Sequence, residues 1–279
     1  MMPATRRLDM RLRHVMAILN ITPDSFYSDS RHSDHAAVCR SVERAMNDGA
    51  TIIDLGGYSS RPGAQQVELD EEWRRVRMGL DAVRSVAGDV ALSIDTFRSE
   101  IVRRAYDEFG EFIVNDISAG ELDENMVSTV AELGLMYVAM HMRGTPKTMQ
   151  SMTDYSEGVV RGVCNYFVGR TEELLRAGIP KENIILDPGF GFAKSVEQNF
   201  ELLAELHKLC ELGYSVLAGL SRKSMIYRPL GITPEEALPG SLALAWEALR
   251  GGATILRVHD VRATRQIVDL FNYYENSLR

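Results

Sequence analysis

The chain repeats one unit. A short apolar run ends in a polar or glycine-rich turn, a helix-forming stretch follows, and the pattern recurs about eight times over 279 residues. Connections long enough to hold a helix force neighbouring strands to run parallel. About eight such units in one chain of this size favour a single (β/α)8 TIM barrel of the α/β class over a doubly wound sheet. The stretch Ile184-Ile185-Leu186-Asp187-Pro188-Gly189-Phe190-Gly191-Phe192 shows the unit at its clearest. A buried parallel strand reads as a continuous apolar run, and here it delivers a carboxylate to the rim before Pro-Gly turns the chain.

The other runs are His14 to Leu19, Thr51 to Leu55, Val90 to Ile94, Phe112 to Ile117, Leu135 to His141, Ser215 to Leu220 and Ala253 to Val258. Helices are expected from a cap at Asp34 to about Asp48, Asp70 to Val86, Ser99 to Glu108, Glu124 to Leu133, and up to about Ala177. Others are expected from Ser195 to Leu212, Pro234 to Leu249, and from Val261 onward. Residues 1–13 read as a short mobile lead-in and 14–279 as one barrel domain.

Parallel barrels carry their active sites at the carboxyl ends of the strands. Those ends hold Asn20, Asp95, Asn115, Asp187, Lys223, Arg257 and His259. Any one of Asp95, Asn115 and Asp187 suits a helix cap. Together they form a set of acceptors and one amide, and buried carboxylates need strong donors. A planar heterocycle with an exocyclic amine and ring N–H groups supplies such donors. Lys223 can donate to a carbonyl oxygen or ring nitrogen, or act as a Schiff-base nucleophile. Arg257 and His259 fall on the same side of the last strand. An Arg–His pair near Asn20 suits an anionic leaving group, and a guanidinium also stacks on a flat ring. His141 reads more simply as a satisfied strand-end histidine, and Asp54 and Asp116 as structural or as residues that support the site's own side chains. Gly56, Gly57 and Gly63 let the second loop fold tightly. Within it Arg61, between Ser60 and Pro62, is a natural partner for a carboxylate.

The net charge of −8 argues against broad binding of nucleic acid or acidic membrane. No run approaches the roughly 18 apolar residues of a membrane span. Three scattered cysteines without metal-ligand spacing fit a reducing, cytoplasmic setting.

Seven segments in order resemble the dihydropteroate synthases over nearly the whole chain. They are Ile18-Leu19-Asn20-Ile21-Thr22-Pro23-Asp24-Ser25-Phe26, Ser60-Arg61-Pro62-Gly63, Ser93-Ile94-Asp95-Thr96, Asn115-Asp116-Ile117-Ser118, Asp187-Pro188-Gly189-Phe190-Gly191-Phe192, Ser221-Arg222-Lys223-Ser224 and Arg257-Val258-His259-Asp260. The resemblance implies a transferase of folate biosynthesis that joins 6-hydroxymethyl-7,8-dihydropterin pyrophosphate to para-aminobenzoate. It implies that Asp95, Asn115, Asp187 and Lys223 hold the pterin edge. Met140 and Phe192 would pack near the ring, Gly219 would allow close approach, and Arg257 would stack on a face. Asn20 would help hold Mg²⁺ and pyrophosphate, which Arg257 and His259 would also bind. Ser60, Arg61, Pro62 and Ser224 would form the para-aminobenzoate pocket. Asp29, in the first loop, is the candidate for steadying a cation formed when pyrophosphate leaves. The resemblance also implies a homodimer built on outer helices near the end of the chain. Leu242, Ala243, Ala245, Trp246 and Leu249 supply more apolar surface there than one core-facing stripe needs.

Two loops depart from the family pattern. Phe26-Tyr27-Ser28-Asp29-Ser30-Arg31 stands where many members have Phe-Ser-Asp-Gly-Gly. Tyr58 and Ser60 stand where Glu and Thr are common in Glu-Ser-Thr-Arg-Pro-Gly. Ser60 keeps a hydroxyl, so function is expected to survive, while the fit of sulfonamide-type mimics of para-aminobenzoate turns on these positions. The competing readings are a pterin-binding homologue without catalysis, a pterin-dependent methyltransferase barrel, and a Schiff-base aldolase built on Lys223.

Overall fold

The computed structural model describes residues 8–21, 31–58, 67–86, 90–145 and 148–278. Eight strands close into one parallel barrel in sequence order, with the last paired to the first. They are β1 (His14–Asn20), β2 (Ile52–Gly56), β3 (Ala91–Asp95), β4 (Ile113–Asp116), β5 (Met136–Met140), β6 (Ile184–Asp187), β7 (Ser215–Ala218) and β8 (Ile255–Val258).

Side chains alternate between the two faces of a strand, and that alternation sorts the core. Outward residues such as Val15, Ile53, Ile94, Val114, Leu186 and Val216 belong to the large apolar cluster under the helices. Inward residues at the amino end, Met16, Ile52, Ala91, Ile113, Val138, Ile185, Leu217 and Ile255, form a separate apolar plug. Two residues further along, five of the inward positions are polar: Asp54, Ser93, Asn115, Asp187 and Arg257. At the mouth, Asn20, Gly56, Asp95 and Asn115 lie in one row of the strand register. The barrel interior is apolar at one end and chemically equipped at the other.

The helices are α1 (Arg31–Asn47), α2 (Leu69–Val86), α3 (Ser99–Phe109), α4 (Met126–Leu133), α5 (Val159–Arg176), α6 (Val196–Ala204), α7 (Leu206–Cys210), α8 (Ser224–Leu230), α9 (Leu238–Arg250) and α10 (Val261–Ser277). Local chemistry fixes several ends. Asp70, Glu71 and Glu72 open α2 and Arg84 stands in its last turn, which complements the helix dipole. Ser195 and Gln198 form a reciprocal capping box on α6. Gly134, with φ 66°, ends α4 in the left-handed conformation.

Four details differ from the sequence reading. The helix expected over Ser195–Leu212 breaks at Glu205 into α6 and α7. The break turns Leu206 and Leu209 into the core. There Leu206 lies so close to Gly251 that a Cβ on the glycine would fall 2.9 Å from its own. The short α8 was not expected; Pro229 lies inside its last turn and disguises it. α1 begins ahead of the expected cap Asp34. The lead-in is tied down where it is described. Leu8 and Met10 pack on the apolar plug, and Arg13 donates to Asn272 at 2.8 Å and Glu275 at 2.5 Å. Apolar side chains in the last residues before β1 cover an end of the barrel that water would otherwise reach.

Candidate active site

Asp54 is the residue on which the polar layer is assembled. It is fully buried on β2. Its carboxylate accepts from Ser93 Oγ at 2.6 Å, Asn115 Nδ2 at 3.2 Å and Arg257 Nε at 2.7 Å. The same guanidinium donates through Nη2 to Asp95 at 2.6 Å. Arg257 therefore lies between two carboxylates from β2 and β3. Burial works against its charge, but Asp54 and Asp95 outweigh that and raise its pKa. Burial pushes the Asp95 carboxyl up to about 7, with Arg257 opposing.

Across the barrel, Asp187 ends β6 and accepts from the backbone N–H of Gly189 at 2.7 Å. Burial raises its pKa, while Lys223 and the Gly189 N–H hold it down. Lys223 donates to the carbonyl of Phe190, and its Nζ stands 5.0 Å from the centre of the Phe192 ring. Burial lowers the lysine to about 8, against the pull of Asp187. Arg222 sets its direction. This residue has a positive φ of 55°, which few side-chain-bearing residues adopt. A two-pronged bond to Asp260 at 2.7 and 2.8 Å holds it outward.

Apolar side chains wall the mouth. Met140, Met142, Met149, Ile117 and Ala193 form a small cluster with Phe97 and Phe192 packed against it. Gly219 borders Lys223 and Arg257: a Cβ there would lie 3.8 Å from Lys223 Nζ and 4.0 Å from Arg257 Cβ. A longer side chain would grow into the space between the two cations.

The structure brings Asp95, Asn115, Met140, Asp187, Phe192, Gly219, Lys223 and Arg257 to this one mouth. Asn20 lies on its rim beside Gly56, where an added Cβ would come within 3.2 Å of the Asn20 amide oxygen. His259 follows β8, exposed, with its backbone N–H and Nδ1 both 3.2 Å from Ser221 Oγ. Ser224 opens α8, half-buried. Asp29, Ser60, Arg61 and Pro62 lie outside the described residues.

None of the described helices is capped by Asp95, Asn115 or Asp187; Arg98, Asn125 and Ser195 occupy the N-cap positions of α3, α4 and α6. Asp116 is structural as expected, accepting from Ser118 and Gly120 backbone N–H groups and from Tyr137 Oη at 2.7 to 2.8 Å. Asp54 was expected to be structural or to support the site from behind, and the structure gives it the second role: it is bonded directly to two of the site's residues. Strand parity was the signal, since Asp54 falls on the inward face with Ile52 and Gly56. Tyr58 packs edge-on to Phe97 at 5.2 Å and lies under the Arg98 guanidinium at 5.6 Å. Arg98 in turn donates to the buried Glu72 at 2.8 Å.

A barrel whose mouth carries an acidic, hydrogen-bonding wall, two half-buried cations and flat apolar packing suits a flat, nitrogen-rich ring. The family described as pterin binding enzyme matches residues 16–259. The dihydropteroate synthase of Haemophilus influenzae is 43% identical over 97% of this chain and 97% of its own. That of Escherichia coli is 42% identical over 92% and 90%. Among solved structures, Xanthomonas albilineans dihydropteroate synthase with 4-aminobenzoic acid superposes with a TM-score of 0.87 at 39% identity, covering 96% of this chain and 95% of that one. The Yersinia pestis dihydropteroate synthase in a sulfonamide drug complex gives 0.89 at 35% identity, covering 99% and 100%. The chain belongs to the dihydropteroate synthase family of pterin-binding barrels.

Two outcomes follow from this geometry. Asp54→Ala leaves the Arg257 charge with half its partners, and removing one member of a buried pair costs about 3–5 kcal/mol. Urea unfolding should show a loss of that order, with pterin affinity by calorimetry falling at least about tenfold; wild-type values for both would disprove the hub. The pH profile of kcat/KM reports groups of the free enzyme. Asp95 gains a proton below about 7 and stops accepting, whereas Lys223 loses its proton above about 8 and donates less well. The profile should therefore be a bell with limbs near those two values, and a flat profile from about pH 6 to about pH 9 would contradict it.

Proposed function

We infer that this protein is a transferase of folate biosynthesis that carries out the dihydropteroate synthase reaction. It condenses 6-hydroxymethyl-7,8-dihydropterin pyrophosphate with para-aminobenzoate to give 7,8-dihydropteroate and pyrophosphate. The observation that carries this reading is the Asp95–Asn115–Asp187–Lys223 set at one barrel mouth, in a chain aligned over most of its length with dihydropteroate synthases. A relative from Xanthomonas albilineans has been solved in complex with 7,8-dihydropteroate, at 36% identity over 96% of this chain.

Each site carboxylate has one oxygen bonded to the scaffold, Asp95 through Arg257 and Asp187 through Gly189. The other oxygen of each would accept from the pterin amine and ring N–H groups. Lys223 would donate to the pterin carbonyl, and Met140 and Phe192 would pack on the ring. Arg257 and His259 would receive the pyrophosphate. The bond between the pterin methylene carbon and the pyrophosphate oxygen breaks first, and its electron pair leaves with pyrophosphate. The electron-rich ring spreads the positive charge left on the methylene. The para-aminobenzoate nitrogen then forms the new C–N bond and gives up a proton. No protein nucleophile is needed, and Lys223, hydrogen-bonded to a carbonyl between Asp187 and Arg257, is a donor in this scheme.

Asn20 offers a neutral amide oxygen at the rim, and among the described residues no cluster of three acidic, histidine or cysteine side chains forms a metal cage. That donor set fits Mg²⁺, which takes one or two protein ligands and completes its shell with phosphate oxygens and water. Asn20 would hold the ion, which would neutralise charge on the leaving group.

We place the homodimer contact on α9 and α10. Trp246 packs edge-on to Phe271 at 5.0 Å and tilted against Tyr274 at 5.7 Å, with Leu270, Tyr273 and Leu278 exposed beside them. Contiguous exposed apolar surface of this kind favours a protein partner. The three free cysteines support a cytoplasmic setting, and no helix among the described residues is long and apolar enough to cross a membrane.

Pyrophosphate release tests the activity. With Mg²⁺ and the pterin pyrophosphate, the purified protein should release pyrophosphate in a para-aminobenzoate-dependent manner, and Lys223→Ala should abolish it. Tight pterin binding without release would point to a non-catalytic homologue instead. Light scattering at micromolar concentration should give a dimer mass, which Tyr273→Glu should lower; a monomer mass for the unaltered protein would refute the contact.

A further inference from the structure

Lys194 lies behind the site and has no part in the scheme above. It is 5% exposed, a rare state for a lysine. Its Nζ donates to Phe192 O at 2.9 Å and Gly189 O at 3.0 Å, and stands 3.0 Å from His141 Nδ1. An ammonium has three protons, and here it meets three acceptors. His141 accepts at Nδ1 only as the neutral ring protonated on Nε2. Burial, then Lys194 and Arg143, push its pKa down to about 2 and keep it neutral. Burial also lowers Lys194, to about 7, with Asp187 opposing.

The loop these groups hold is tightly wound. Gly189, Gly191 and Ala193 have positive φ of 68°, 81° and 50°. The Phe192 N–H closes back onto Gly189 O at 3.0 Å. Gly189 lies so close to the end of β5 that a Cβ would fall 2.1 Å from the His141 carbonyl oxygen. The loop's carbonyls are divided between two lysines: Gly189 and Phe192 bond to Lys194, and Phe190 to Lys223. Ala193 occupies a conformation that suits glycine, directly after the Phe192 carbonyl that Lys194 fixes.

We propose that Lys194, seated on His141, is a positioning residue that shapes the 188–193 loop and so places Asp187, the Phe190 carbonyl and the Phe192 ring for the pterin. The proposal rests on the pterin-binding reading and adds to it a residue that does not touch substrate. Lys223 grips the loop from the site and Lys194 from behind. Without the rear grip, the Asp187–Gly189 turn and the Phe192 ring lose their shared reference point. The residues assigned to para-aminobenzoate, Ser60, Arg61, Pro62 and Ser224, come from other segments of the chain.

Calorimetry with the pterin and steady-state kinetics with both substrates test this on Lys194→Met, His141→Leu and His141→Asn, beside the unaltered protein. Small displacements of binding groups cost up to about a hundredfold, so Lys194→Met should weaken pterin binding by about 10–100-fold and raise KM for the pterin pyrophosphate in step. KM for para-aminobenzoate should stay within about twofold, a split that general loosening would not give. His141→Leu should move the same way. His141→Asn, whose amide oxygen stands near the place of Nδ1, should recover most of the affinity. A folded Lys194→Met protein with unchanged pterin affinity, or with both KM values raised together, would overturn the proposal. Should that variant fail to fold, equal pterin affinities in the two His141 variants would overturn it. An unaltered protein that binds no pterin would sink the functional reading itself, which keeps the two failures apart.

Discussion

A guanidinium cannot be left inside a barrel without partners, and Arg257 draws the rest of the polar layer to itself. Its ion pairs reach Asp54 and Asp95, 203 and 162 positions away in the chain. They cross over β1, because β8 pairs with β1 and β1 with β2. One side chain therefore ties together the strands at the barrel's seam. An unpaired charge at that depth would cost several kcal/mol, so closure and charge balance support each other. The same bonds turn Asp95 and, through Asp54, Asn115 toward the mouth. One side chain thus serves both the fold and the site.

Much of this was legible in the sequence because a barrel strand has only two faces. Apolar runs ending in Asp95, Asn115 and Asp187 gave both the strands and the residues at the mouth. The same two-fold count places Asp54 inward, yet as an acid within an apolar run it read equally well as structural or as a support for the site. Its role depends on Arg257, and no local pattern connects β2 to β8. Lys194 was hidden for a different reason. Its acceptors are backbone carbonyls, which every residue carries, and they converge only because three residues in the loop take positive φ. The break at Glu205 and the short α8 were obscure because packing against Leu206 and Gly251, or a proline late in a helix, overrides local preference. Residues 8–13 read as loose because a few apolar residues carry no periodicity, whereas the plug they cover gives them a fixed place.

The charges of the site carry a further consequence. Burial pushes Asp95 and Asp187 toward the protonated form and Lys223 toward the neutral one. Each group is held partway out of its charged state by lack of solvent and partway in it by its neighbours. A ligand that presents N–H donors to the carboxylates and a carbonyl to the lysine stabilises the charged form of all three at once. Recognition is then cooperative, because every correct hydrogen bond strengthens the field felt by the next. A ring lacking those donors would leave buried acceptors unpaired, a penalty larger than the loss of one bond. The pyrophosphate of the proposed substrate faces the opposite demand and cannot sit against Asp95 or Asp187. It must turn toward the rim, where Asn20 offers a neutral oxygen and Arg257 and His259 offer positive or hydrogen-bonding groups. In the proposed reaction an acidic wall and a basic rim would give the substrate a single orientation. Arg257 lies on the boundary, closing the barrel on one side, and in the proposed reaction it would meet the leaving group on the other.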